Sequence, residues 1–245
     1  MILPNPKDAL HRGKLYQLLT EIADNQFLVN SLVFKGGTCA ALMGKLDRFS
    51  IDLDFDIKDR SNTDEIGNNL DKIIDTLGLE IKSKHTKYMQ YILKYQAPTE
   101  QRNTLKVDAI NTAYKEDKYK PVFLSDIDRY VVCQTIETMF SHKLVALTER
   151  YTKHQTVAGR DIYDIHSFFI NGFKYDPKII EAGTGMPIGK YMNYLVEFIE
   201  NHVDQTLINE DLNSLLESHQ LVWARKSLKQ EVLSLVRNAK IDRHG

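Results

Sequence analysis

The sequence predicts an α+β protein, with a mixed sheet and helices in the N-terminal half and helices alone in the C-terminal half. Three observations carry this. Residues 49–57 and 105–110 each alternate polar and apolar side chains one for one, the period of a half-buried strand. Between them, Ile66, Leu70, Ile73, Ile74 and Leu77 recur at helical spacing. From Asp126 onward nearly every stretch reads as helix.

The elements follow in order. Leu15, Leu18, Leu19, Ile22 and Ala23 predict an opening helix over 11–30. Leu32-Val33-Phe34 is a short apolar strand, followed by Lys35-Gly36-Gly37-Thr38 and a helix-compatible segment at 39–46. The acidic strand comes next, then a helix over 63–77 that Gly78 stops. Residues 79–97, with Tyr88, Tyr91, Ile92 and Tyr95, predict one or two strands. The helical half breaks near Gly159, Gly172 and the stretch Gly183-Thr184-Gly185-Met186-Pro187. A boundary falls within 121–126, giving domains of 1–124 and 125–245, with no internal repeat.

A hydrophobic content of 42% and a charged content of 27% are ordinary for a globular chain. The net charge of −1 excludes a global basic field, so any RNA contact must come from local patches. Cys39 and Cys133 lack metal-knuckle spacing and sit in apolar surroundings, which predicts buried thiols. The start of the chain, Met1-Ile2-Leu3-Pro4-Asn5-Pro6-Lys7, has no signal-peptide core. No apolar run approaches ~20 residues, so a cytoplasmic protein without a membrane span is expected.

The chemistry concentrates at 35–56. In an extended strand Asp52, Asp54 and Asp56 share one face, and Leu53, Phe55 and Ile57 share the other. A row of like charges repels itself unless something positive is held there, and hard divalent ions such as magnesium prefer carboxylate oxygens. Upstream, paired glycines after a strand let the backbone approach a ligand and present N–H groups at a helix start, a place to hold phosphate. A phosphate cradle one helix away from an acidic strand points to metal-dependent phosphoryl or nucleotidyl transfer. The plainer readings are a tight turn before a helix, and an exposed amphipathic edge strand. Asp56 is open between the metal face and a solvated or helix-capping position.

Phe34-Lys35-Gly36-Gly37-Thr38, followed by Leu46-Asp47-Arg48-Phe49-Ser50-Ile51-Asp52-Leu53-Asp54-Phe55-Asp56, closely resembles the AbiEii/AbiGii toxin family of nucleotidyltransferases. His142-Lys143-Leu144-Val145-Ala146-Leu147 and Arg160-Asp161-Ile162-Tyr163-Asp164-Ile165 resemble that family's later Lys-containing and Asp-x-x-Asp helical motifs. The resemblance implies a polymerase-β-like nucleotidyltransferase domain followed by a helical bundle. It also implies a bound NTP, two magnesium ions, a cognate antitoxin or phage-defence partner, and a transfer-RNA acceptor for some relatives.

On this resemblance Asp52 and Asp54 are metal ligands, and the third carboxylate of such sites falls on Asp108, whose side chain points opposite to Val107 and Ala109. An ordinary strand acid beside Lys106 is the other reading of Asp108. Gly36, Gly37 and Thr38 would give backbone N–H groups and a hydroxyl to the triphosphate. Lys143 lies along the apolar stripe Ile136, Met139, Phe140, Leu144, Leu147, where a lysine either snorkels to water or reaches an anion; the resemblance favours triphosphate. Asp161 and Asp164 are three apart on one helix face, able to orient Lys143 or Arg160, touch the nucleotide, move a proton, or form a surface ion pair. Arg48 could pair with carboxylate or phosphate. Lys82, Lys84, His85, Lys87 and Lys94, interleaved with tyrosines, suit an RNA backbone or a solvated strand face equally.

The leading expectation is an enzyme that moves a nucleoside monophosphate from an NTP to a transfer-RNA end. The same chemistry on a protein side chain or a small molecule is the alternative, and the basic stretch and helical half favour RNA. A nucleotide-binding regulator without turnover has no need of both Asp52 and Asp54. A pure interaction module would rest on the apolar pattern of 212–236, which reads as helix packing around Trp223.

Overall fold

The computed structural model describes residues 1–86, 89–110 and 113–241. They fall into two compact units, Met1–Ala113 with Lys118–Thr135, and Tyr114–Asp117 with the chain from Ile136.

The first unit opens with α1 (Ala9–Asp24) and α2 (Gln26–Ser31), where the spacing predicts one helix. Asn25 is extended, and its side chain accepts from the Phe27 and Leu28 N–H groups, so it starts a new helix in place of continuing the old one. There follow β1 (Leu32–Lys35), α3 (Gly36–Leu42), β2 (Asp52–Ile57) and α4 (Thr63–Thr76). Gly78 ends α4 with φ +61°, as its position predicts. Then come β3 (Glu80–His85), β4 (Gln90–Lys94), β5 (Thr104–Ile110), β6 (Tyr119–Leu124) and β7 (Arg129–Gln134). Helix α3 begins at the glycine pair itself, not at Cys39, and ends sooner than predicted.

These strands form one mixed sheet in the order β3-β4-β5-β2-β1-β7-β6. The β2–β5 and β1–β7 pairs are parallel, and the other pairs are antiparallel. The acidic strand β2 is therefore central, which excludes an exposed edge strand. Its Leu53, Phe55 and Ile57 are buried. Leu19, Ile22 and Leu28 from α1 and α2 line a space against Phe55, and Asp71 of α4 accepts from Tyr91 of β4 at 3.1 Å. The helices thus cover the apolar face of β2 and leave its acid face to the site. Cys39 and Cys133 are buried free thiols, and burial together with their mutual contact pushes the Cys39 thiol up.

Strand β7 stands where the sequence reads as helix. A turn with Asp128 at φ +55° reverses the chain, and β6 and β7 then pair along their full length. Only six residues separate this turn from Thr135, too few for a stable helix, and Val131 and Val132 are β-branched. Pro121, which cannot donate to a ladder, is tolerated because β6 is an edge strand.

The second unit is helical: α5 (Ile136–His154), α6 (Gly159–Ile170), α7 (Pro177–Thr184), α8 (Ile188–His202), α9 (Gln205–Leu212) and α10 (Ser218–Ile241). Helix α5 packs on α6 and α7, and α10 packs on α6, α8 and α9. The predicted breaks hold: Gly172 has φ +71°, Gly185 caps α7 in the left-handed region, and Pro187 precedes α8. Trp223 is not the core anchor expected. It is half-buried, because its indole N–H must reach Glu231 at 3.1 Å, and it stacks beside His166 at 4.8 Å. Among the described residues no helix is long and apolar enough to cross a membrane.

Phe55→Ala in the central strand should destabilise the protein by about 3–5 kcal/mol, read as a lower urea midpoint. An unchanged midpoint would contradict the burial of this ring in the core.

Candidate active site

The site is built on the turn from β1 into α3. Gly36 has φ +78°, a conformation that favours glycine, and a Cβ placed there would lie 2.5 Å from Asp54 Oδ2. Backbone and carboxylate approach this closely only because the side chain is missing. At Gly37 a methyl group would collide with the Arg48 guanidinium and come within 3.2 Å of Ser50 Oγ. Arg48 is buried and donates to the Phe49 carbonyl at 2.9 Å, so it lies under the glycine turn and not in solvent. Thr38 is fully buried, and its hydroxyl donates to the Asp52 carbonyl at 2.5 Å, with Ser50 Oγ at 2.8 Å. That hydroxyl is committed to joining the turn to the acid strand. What the turn can offer a phosphate is its backbone N–H groups at the start of α3.

Across the sheet, Asp54 is the register partner of Asp108 on β5 and of Lys35 on β1. Asp52 is the partner of Lys106. The acids expected at the site are thereby brought onto adjacent strands, Asp54 beside Asp108 with Asp52 two residues along. Lys106 Nζ donates to Asp108 Oδ2 at 2.5 Å, while Asp108 Oδ1 is buried with no hydrogen-bond partner. Asp56 is neither solvated nor a helix cap. It is 1% exposed and accepts from Lys35 Nζ at 2.6 Å and from Gln134 Nε2 at 2.8 Å. Sequence reasoning misses Lys106, Lys35 and Gln134 as members of the site. Period two is a usable signal for Lys106, which shares a strand face with Asp108, but nothing local to β7 pairs Gln134 with Asp56.

Among the described residues no group of three or more His, Cys, Asp or Glu side chains stands assembled to hold a metal ion. The physical reason is spacing: same-face neighbours on one strand are roughly 6.5 Å apart. The donors still suit a hard divalent cation. All are carboxylate oxygens, and the orphaned Asp108 Oδ1 is already desolvated and lacks a partner.

The helical unit gathers the remaining candidates. Lys143 Nζ is 2.6 Å from Asp161 Oδ1 and 2.9 Å from Asp164 Oδ2, and Arg150 Nη2 is 3.4 Å from Asp161 Oδ2. Both aspartates are fully buried, so theirs is not a surface ion pair. Burial pushes the Asp161 carboxyl up, but the Lys143 and Arg150 charges outweigh it and hold the group below its ordinary value. Beside Lys143, His142 Nε2 meets Asp117 at 2.9 Å and stacks on Tyr114. Of the basic stretch, Lys84 is tied to Asp71 at 2.6 Å, Lys82 and His85 are exposed on edge strand β3, and Lys87 and Tyr88 lie outside the described residues.

Two outcomes follow. Asp56→Ala removes the carboxylate 2.6 Å from the largely buried Lys35 ammonium and should cost about 3–5 kcal/mol in urea unfolding, whereas Asp54→Asn should change stability little. Because the Asp161 pKa is depressed, its stabilisation is present above 3.8 and is lost as pH falls through the folded-state value. Acid unfolding of Asp161→Asn, followed by circular dichroism, should therefore be less steep below that pH than wild type.

Comparison with known proteins bears on the fold and the family. No curated protein matches the chain. A candidate nucleotidyltransferase of H. pylori matches with a TM-score of 0.62 at 18% identity, over 98% of this chain and 97% of the other. JHP933 from Helicobacter pylori matches with a TM-score of 0.55 at 18% identity, over 99% and 98%. MenT4, a nucleotidyltransferase toxin of Mycobacterium tuberculosis H37Rv, matches with a TM-score of 0.53 at 17% identity, over 96% and 93%. At such identities these likenesses show a shared nucleotidyltransferase fold. Residues 17–183 match the family model for the AbiEii nucleotidyl transferase toxin of type IV toxin–antitoxin systems, and the chain belongs to that family.

Proposed function

We propose that this chain moves a nucleoside monophosphate from an NTP to the acceptor end of a transfer RNA, using magnesium, and that a cognate antitoxin restrains it in the cytoplasm. The observation that carries the reading is the approach of Gly36 to Asp54, with Asp108 in register alongside. It sets phosphate-binding backbone against the carboxylates that would carry the metal. Asp52, Asp54 and Asp108 are the residues to hold a divalent cation, which when bound would polarise the phosphoryl oxygens and steady the departing pyrophosphate.

The chain's own groups divide the remaining work. The N–H groups of Gly36 and Gly37 bind phosphate oxygens at the positive end of α3. Thr38 fixes the turn to Asp52 through its buried hydroxyl. By the family resemblance Lys143 is the helical unit's nucleotide-contacting residue, and within that unit its ammonium is held by Asp161 and Asp164, whose burial makes reorientation expensive. The transfer-RNA acceptor rests on the family resemblance and on exposed basic residues of β3.

Incubating the protein with each α-labelled NTP, magnesium and total RNA should place label in a transfer-RNA-sized band. Asp52→Asn and Asp54→Asn should each reduce transfer by at least about 100-fold while the thermal midpoint is retained. Label in protein would move the acceptor to a side chain, and undiminished transfer by the variants would overturn the site.

A further inference from the structure

Lys106 stands in conflict with a metal on Asp108. Its ammonium holds Asp108 Oδ2 at 2.5 Å, and a divalent cation on Asp108 would have to share that carboxylate with a like charge. Lys106 is also the register partner of Asp52, so it borders two of the three acids. Its side chain is 37% exposed, against 15% for Asp108. The lysine can swing out of this contact, while the aspartate is held by the sheet. The orphaned Asp108 Oδ1 adds the second half of the argument. A lone ammonium satisfies one carboxylate oxygen and leaves the other without a partner, which a buried acid does not tolerate cheaply.

Resting on the metal-dependent reading above, we propose that Lys106 is a tethered cation that competes with the divalent ion for Asp108 and passes to the triphosphate when displaced. It holds Asp108 in place, and it then becomes a substrate-positioning residue. The direction follows from charge alone. An incoming 2+ ion repels the ammonium, and the polyanionic tail arriving with it attracts the ammonium. The release also couples the two ligands: metal entry frees the charge that the triphosphate needs, and triphosphate binding keeps that charge away from Asp108.

The test is binding by the full-length protein, without catalysis. Mn2+ affinity is measured by electron paramagnetic resonance, and inorganic triphosphate affinity at saturating Mn2+ by calorimetry, for wild type, Lys106→Met, Lys106→Arg and Asp108→Asn. Lys106→Met should bind Mn2+ about tenfold more tightly and triphosphate about tenfold more weakly, and Lys106→Arg should stay near wild type in both. Equal Mn2+ affinity in wild type and Lys106→Met, with binding lost in Asp108→Asn, would overturn the competition and leave the metal site standing. Unchanged triphosphate affinity in Lys106→Met would overturn the transfer to phosphate. Wild-type Mn2+ binding by Asp108→Asn would instead overturn the underlying metal reading. A shared thermal midpoint across the four proteins shows that folding does not set the outcome.

Discussion

Three carboxylates on alternate positions of a central strand repel one another, and the surrounding sheet is arranged to contain that repulsion. At one end the sheet neutralises the charge permanently: Asp56 is enclosed by Lys35 and Gln134 and has become part of the core. Toward the other end the neighbours differ. Asp54 is approached closely by a glycine turn, and Asp108, on the adjacent strand, is half-satisfied by a movable lysine. Neighbouring acids of one sheet are therefore held in different ways within a few residues of each other. The difference comes from which neighbours the register brings alongside.

The glycine turn is the second half of this arrangement. Gly36 and Gly37 are fixed by what would collide with a side chain, Asp54 at one and Arg48 with Ser50 at the other. Thr38 then ties the turn to the acid strand through Asp52. Glycine turn and carboxylates are thus joined by hydrogen bonds and by close approach, which limits their relative motion. The helical unit uses a related device: two fully buried aspartates hold the Lys143 ammonium, and Arg150 pairs with one of them, Asp161.

Much of this was legible in the residues. Alternation at 49–57 placed Asp52 and Asp54 on one face and Leu53 and Phe55 on the other, because strand period depends only on backbone geometry. Gly78 and Gly185 marked helix ends for a similarly local reason, a positive φ that other side chains resist. The resemblance of 34–56 carried the family. Trp223 was misread because apolar periodicity says nothing of an indole N–H that needs a partner eight residues on.

The sequence by itself determined the elements and chemistry confined to one strand, turn or helix: the acid face, the glycine turn, the helical character of α5 to α10. Tertiary structure alone decided which strand lies beside which. It made β2 central, set Asp54 against Asp108, buried Asp56 under Gln134 and drew β7 into the sheet against a helical reading. The physical reason is range. Periodicity and capping act over a few residues, whereas register is chosen by the packing of segments tens of residues apart, on which local pattern is silent.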